Sequence, residues 1–191
     1  MSLVSHLKAD PFQTQQTARE VIAAMSYPGR ILAPGLLTPA LFVRSFGPVG
    51  TRISMTTQAR AMIDEVPLGQ RHTSIPEAGL VVATGSEIGA LSDEIPRGSL
   101  SHPEEGALVL ILVDVLDAGL PPDAAQNGTL RFSVTGPGVN GARGFTVRGL
   151  TDNWAARRAQ ANAEFPMGYD CVLLARDGAA IGLPRLARLE Q

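Results

Sequence analysis

One apolar stretch, residues 107–116, constrains the fold of this chain more than any other (Ala107-Leu108-Val109-Leu110-Ile111-Leu112-Val113-Asp114-Val115-Leu116). A run this nearly continuous does not alternate polar with apolar residues, so it suits a strand buried on both faces. Its uninterrupted part, Ala107 to Val113, is far shorter than the roughly 20 residues that cross a bilayer. The sequence therefore predicts a core strand with helices packed on both faces of its sheet and no membrane segment.

The flanking segments supply those layers. Asp10 is a plausible N-cap before Pro11, and Ala18, Val21, Ile22 and Met25 follow the spacing of one helical face up to the stop at Pro28-Gly29. Prolines 34, 39 and 48 break residues 30–55, leaving short β-like pieces at 41–46 and 52–55. Thr57 could cap a helix whose apolar face is Ala59, Met62, Ile63 and Val66. Residues 80–83 read as a buried strand, with Ser86 capping a helix that carries Ile88, Leu91 and Ile95. Residues 129–135 alternate around Leu130, Phe132 and Val134, and 145–147 look like their partner strand. Thr151 or Asp152 can cap a helix running through Trp154 to about Ala163. Asp177-Gly178 joins 170–175 to 179–183, a strong hairpin signal. The expectation is a single α/β domain over residues 1–191, a mixed β-sheet flanked by helices in a three-layer sandwich.

Composition excludes several classes of chemistry. Of 16 basic residues fifteen are Arg, and the lone Lys8 lies in neither a Walker A loop nor a Schiff-base setting. A net charge of −2 carries no electrostatic footprint for nucleic acid. Cys171 is the single cysteine, in an apolar run where it suits a small buried hydrophobe, so neither a disulfide nor a Cys-rich metal site is expected. His6, His72 and His102 show no ligand spacing. The N-terminus has no signal-peptide pattern, which predicts a cytoplasmic protein. Charged residues make up 18% of the chain, against about 25% in typical domains. That deficit fits either a surface partly covered by another chain or a large core with many Gly and Pro loops.

Few motifs carry chemistry. Gly136-Pro137-Gly138-Val139-Asn140-Gly141 matches G-x-G-x-x-G, but Pro137 removes a backbone donor and a strand rather than a helix is expected to follow. A glycine-rich strand connection is the simpler reading, with a small anion nest beside Arg143 as the alternative. His102, with Glu104, Glu105, Ser99 and Ser101, could do acid–base work, although such a cluster is more often an exposed loop. Asp170 could orient an arginine or cap a turn. Arg185, after Pro184, could bind an anion or sit in solvent.

Five segments taken together resemble one family. They are Ala23-Ala24-Met25-Ser26-Tyr27-Pro28-Gly29; Gly98-Ser99 leading through His102-Pro103-Glu104 to Gly106-Ala107; Thr135-Gly136-Pro137-Gly138-Val139; Phe165-Pro166-Met167-Gly168-Tyr169-Asp170; and Pro184-Arg185. Their order and spacing resemble the PhnH family, the H subunit of the bacterial carbon–phosphorus lyase system, over about residues 10–35 and 95–190. The intervening part looks shorter than in relatives, which predicts a trimmed sheet edge. The resemblance implies a fold similar to the large domain of pyridoxal phosphate transferases without the cofactor site, hence no cofactor; the single cysteine and the dispersed histidines lead to the expectation of no metal. It also implies a homodimer that joins the G, I and J subunits in a core complex. That complex transfers the ribose 5-triphosphate moiety of ATP to a phosphonate, expelling adenine, during alkylphosphonate catabolism. The family offers no catalytic residue to carry over, so the expected role is that of an assembly and interaction subunit. His102, Glu104, Gly136, Gly138, Asp170 and Arg185 are the candidate pocket or interface. The alternatives are a stand-alone enzyme or binding protein for an anionic phosphorylated ligand at His102, Glu104 and Arg185, and a pure scaffold with an empty pocket.

Overall fold

The computed structural model describes residues 10–35, 37–63, 69–119 and 128–191. His6, Lys8 and Val66 lie outside the described residues. In chain order the helices are α1 (Pro11–Ser26), α2 (Pro39–Phe46), α3 (Thr57–Ala61), α4 (Ile88–Leu91) and α5 (Trp154–Ala161). The strands are β1 (Arg52–Met55), β2 (Arg71–His72), β3 (Leu80–Thr84), β4 (Leu108–Val113), β5 (Val115–Ala118), β6 (Thr129–Thr135), β7 (Arg143–Arg148), β8 (Asp170–Ala175), β9 (Ala180–Leu183) and β10 (Arg188–Glu190).

The strands form two sheets rather than the single sheet expected. The first has the order β2-β1-β3-β4-β8-β9, and the second β10-β6-β7-β5. In the first sheet β2, β1, β3, β4 and β8 run parallel, and only β9 is antiparallel. The apolar run at 107–116 is the cause of the split. It yields β4 and then, across Asp114, β5 of the second sheet, where Val115 pairs with Arg148. The Asp114 amide donates to Arg148 O, and its carboxylate accepts from Arg176 Nε at 2.8 Å. One polar residue in an apolar run thus redirects the chain from one sheet to the other.

Strand alternation divides the core in two. Leu80, Val82, Leu110, Leu112, Val172 and Leu174 point toward α1, α2 and α3. Val81, Ala83, Val109, Ile111, Cys171 and Leu173 point the other way, onto Phe132, Val134, Phe145 and Val147 of the second sheet and onto α4 and α5. The layers are therefore helices, the six-stranded sheet, and the second sheet together with two short helices. Helices cover one face of the main sheet, and a sheet shares the other.

Several local expectations are met. Asp10 Oδ1 accepts from Phe12 N at 2.9 Å and starts α1. The pairs β6–β7 and β8–β9 are antiparallel, with Phe132 opposite Phe145. Others change. Residues 39–46 form a helix, not a strand: Thr38 Oγ1 accepts from Leu41 N, Pro39 opens the first turn, and Phe42 and Phe46 stack one turn apart at 4.8 Å. In α1 the buried residues are Thr17, Val21 and Ala24, while Ile22 faces outward. The cause is close packing of the Ala24–Met25 backbone over Gly182 of β9, where a Cβ would stand 2.5 Å from Ala24 C. Thr56, not Thr57, caps α3. Helix α4 is a single turn without a side-chain cap from Ser86, and Asn153 precedes α5. A further strand, β10, follows Arg185 and pairs with β6.

Candidate functional site

Three of the sequence segments singled out above converge in space. Arg185 is the meeting point. Its Nη2 lies 2.9 Å and its Nε 3.3 Å from Asp170 Oδ2, and its backbone N–H donates to Asp170 Oδ1 at 2.7 Å. Its Nη1 donates to Pro103 O at 2.9 Å and Pro166 O at 3.0 Å. One guanidinium thus ties the loop at 98–107, the turn at 165–170 and the link after β9 together. A planar fork with several donors is suited to this, and a lysine is not.

Glycines make the approach close enough. A Cβ on Gly106 would stand 2.3 Å from Gly168 O, and one on Gly98 2.7 Å from His102 O. Asn162, at the end of α5, completes the clamp. Its Nδ2 donates to Tyr169 O and Arg185 O, and its Oδ1 accepts from Tyr169 N at 3.0 Å. His102 and Glu104 lie on this hub but point into solvent, His102 Nδ1 being 3.0 Å from Ser101 Oγ.

Gly136 and Gly138 belong to a second contact. Gly138, at φ +81°, would place a Cβ 2.2 Å from Ser26 O, and Gly136 one 2.9 Å from Leu186 O. Arg143 Nη1 donates to Pro28 O at 3.0 Å and to Tyr27 O at 3.3 Å. The glycine-rich segment is a turn between β6 and β7 seated on the end of α1, and β7 follows it where a dinucleotide fingerprint would need a helix. Arg143 Nη1, a donor that an anion beside this turn would need, is committed to these two carbonyls.

A buried arginine was missed by the sequence reading. Arg158, 2% exposed, donates to Leu183 O, Pro184 O and Ala187 O at 3.1, 2.6 and 2.8 Å. Its signal was available: Arg158 sits four residues after Trp154 and three before Ala161, both buried on the inner face of α5. Arg158 and Arg185 together fasten residues 183–187, the link between the two sheets. Nearby, burial pushes the Tyr169 phenol well above its usual range. Burial also raises the Cys171 thiol, although the Arg158 guanidinium beside it pulls the other way. A fully buried thiol of this kind is a packing group and not a nucleophile.

Around the Arg185 hub the surface mixes exposed apolar and acidic side chains. Leu100 (71% exposed), Phe165 (67%) and Leu186 (44%) stand on the three segments that it joins, with exposed Glu104, Glu105 and Glu164 beside them.

Comparison with known proteins covers the same segments. Residues 6–190 match the family model described as bacterial phosphonate metabolism protein (PhnH). Over 180 residues the chain is 32% identical to a protein of Stutzerimonas stutzeri assigned as the C-P lyase subunit HtxG, covering 92% of this chain and 85% of that one. Over 103 residues it is 31% identical to the alpha-D-ribose 1-methylphosphonate 5-triphosphate synthase subunit PhnH of Rhizobium meliloti (strain 1021), covering 52% of this chain and 44% of the relative. With all five sequence segments inside the matched region and packed into two adjoining contacts, the chain belongs to the bacterial phosphonate metabolism protein (PhnH) family.

Proposed function

We propose that this chain is a subunit of the carbon–phosphorus lyase core complex, required for transfer of the ribose 5-triphosphate moiety of ATP to a phosphonate, and that it acts mainly through assembly. The relatives named as C-P lyase and synthase subunits support the assignment to that complex. The Arg185 hub supports the assembly role. Its guanidinium is committed to Asp170 and two backbone carbonyls, which makes it a fastener. The segments it fastens present Leu100, Phe165 and Leu186 to solvent. Large apolar side chains exposed on fastened segments suit a protein interface. In this reading His102 and Glu104 form the polar rim of that interface, and Gly136, Gly138, Asp170 and Arg185 hold its shape.

The partners are the G, I and J subunits and a second copy of this chain, in the cytoplasm. The fold is then a relative of the pyridoxal phosphate transferase large domain without its cofactor site. A stand-alone enzyme at His102, Glu104 and Arg185 has less support, because few Arg185 donors remain for a substrate anion.

Co-expression of the tagged chain with the G, I and J proteins of its own operon, followed by sizing and mass analysis, tests the proposal. Stoichiometric co-elution is expected. A dispersed monomer that ignores all three partners overturns it.

A further inference from the structure

The carboxyl ends of β4 and β8 open into a cavity that the assembly role does not use. Leu112 and Val113 close β4, and Leu174 and Ala175 close β8 beside it in parallel register. Carboxyl strand ends are where open α/β sheets bind ligands. The cavity has a volume of about 340 Å³, within the range of small-ligand pockets, about 300–1,000 Å³. Its apolar wall is Leu37, Pro39, Met62, Leu112 and Leu174, and its polar wall is Thr38, Arg176 and Asp177. Asp177-Gly178 thus does more than turn β8 into β9, because it also places a carboxylate residue on the wall of an apolar recess.

The hydrogen-bonding groups of that wall are unequally spent. Arg176 is committed to Asp114, with Nε and Nη2 both 2.8 Å from Asp114 Oδ1. The amides of Gly35 and Gly178 donate to Asp177 O and Ala175 O. At the start of α2, Pro39 has no N–H, Leu41 N donates to Thr38 Oγ1 at 3.2 Å and Phe42 N donates to Thr38 O. The end of α2 therefore offers little to an anion here. Acceptors remain. Asp177 Oδ1 accepts from Ala179 N at 2.9 Å, and among the described residues Oδ2 has no donor and the carboxylate no cationic partner. Thr38 Oγ1 keeps a second lone pair. With Arg176 neutralised by Asp114, the wall carries one unpaired negative charge beside an apolar recess.

We infer that this cavity binds a small primary amine with an apolar body, its ammonium held by Asp177 and Thr38 and its body among Leu37, Met62, Leu112 and Leu174. An ammonium supplies three donors and a positive charge, which the unspent acceptors lack. A neutral ligand leaves the carboxylate without a counter-charge, and an anion meets it with like charge. The inference goes beyond the assembly proposal and is independent of it: amine binding is a property of the isolated chain, and co-elution with partners is read separately.

Titration of the isotope-labelled full chain with phenethylamine near neutral pH, followed through amide chemical shifts, tests the inference, with phenethyl alcohol and hydrocinnamate as the neutral and anionic counterparts. Saturating shifts centred on Gly35, Met62 and Gly178 are expected with the amine. The alcohol should bind about 3- to 5-fold more weakly, the margin of a solvent-exposed ion pair, and the acid should leave these signals in place. Asp177→Asn keeps an oxygen for Ala179 N and a hairpin-forming Asn-Gly pair, so it should fold as wild type does. It should weaken the amine by the same factor and leave the alcohol unchanged. Met62→Trp, which narrows the cavity from a half-exposed position, should weaken amine and alcohol alike. Amine shifts that do not centre on the cavity, equal binding of the three probes, or folded variants that bind the amine as wild type does would overturn the inference.

Discussion

Replacement of Arg185 by Ala is the perturbation on which the account of the hub depends most. The substitution removes four side-chain hydrogen bonds, two to Asp170 Oδ2 and one each to Pro103 O and Pro166 O. Hydrogen bonds to charged groups contribute about 1.5–3 kcal/mol each when buried. The four share one guanidinium, and the side chains of Arg185 and Asp170 are 17% and 32% exposed, so water replaces part of the loss. A total of about 3 kcal/mol follows, well below the simple sum. For a chain of this length that corresponds to a fall of about 6–12 °C in Tm. Asp170→Asn retains an acceptor for the Arg185 amide and should cost about 1 kcal/mol, and the double variant should lose less than the two single losses combined. Urea unfolding supplies the energies. Hydrogen exchange should show lost protection at 98–106 and 165–170, with β3 and β4 unchanged. A variant that melts within a degree of wild type, or that loses protection everywhere equally, would refute the fastening role.

Other consequences can be measured in the same way. Gly138→Ala and Gly141→Ala both place a side chain at positive φ, costing about 1–2 kcal/mol. Only Gly138 would also meet Ser26 O at 2.2 Å, whereas Gly141 has open space, so Gly138→Ala should be clearly the less stable in urea. Arg158→Met leaves the carbonyls of Leu183, Pro184 and Ala187 without their donor and should cost about 3 kcal/mol, with the earliest exchange in β10. The thiol of Cys171 should react with a thiol reagent only as fast as the protein unfolds; rapid labelling of the native state would contradict its burial. At Glu87, burial raises the carboxyl pKa, but hydrogen bonds from Thr56 and Thr84 outweigh it, so the folded value lies below the usual one. A depressed carboxyl stabilises the fold above its unfolded pKa of about 4.3 and loses that contribution as pH falls through the folded value. Wild type should therefore exceed Glu87→Gln in stability at neutral pH and converge with it in acid; a constant gap would contradict this.

The parts of this fold that were legible in the sequence are those decided locally. Asp10 and Pro11 start α1, Asp177-Gly178 turns β8 into β9, and alternation around Phe132 marks a half-covered strand. The misread parts were decided by tertiary context. An apolar run gives no sign that Asp114 will divide it between two sheets, because Val115 and Leu116 continue the apolar character past the break. Residues 41–46, read as a short β-like piece, are the exception: the Thr38 cap, Pro39 and the Phe42–Phe46 spacing that make them a helix are local signals. The candidate site was legible as a set of residues but not as an arrangement. Asp170 and Arg185 were singled out separately, yet their union depends on carbonyls of Pro103 and Pro166 that no side-chain pattern encodes. The cluster at Glu87 was invisible for a related reason: Thr56 and Glu87 become neighbours only when β1 and β3 pair.

The central claim is that the surface held by Arg185 joins this chain to its partners. The most direct test is co-expression with the G, I and J proteins, comparing wild type with a Leu100→Asp, Phe165→Asp, Leu186→Asp variant. All three positions are exposed, so the variant should fold with an unchanged melting profile. Wild type should elute in a stoichiometric complex and the variant should elute apart from it. A variant that still co-elutes in full with all three partners would contradict the account.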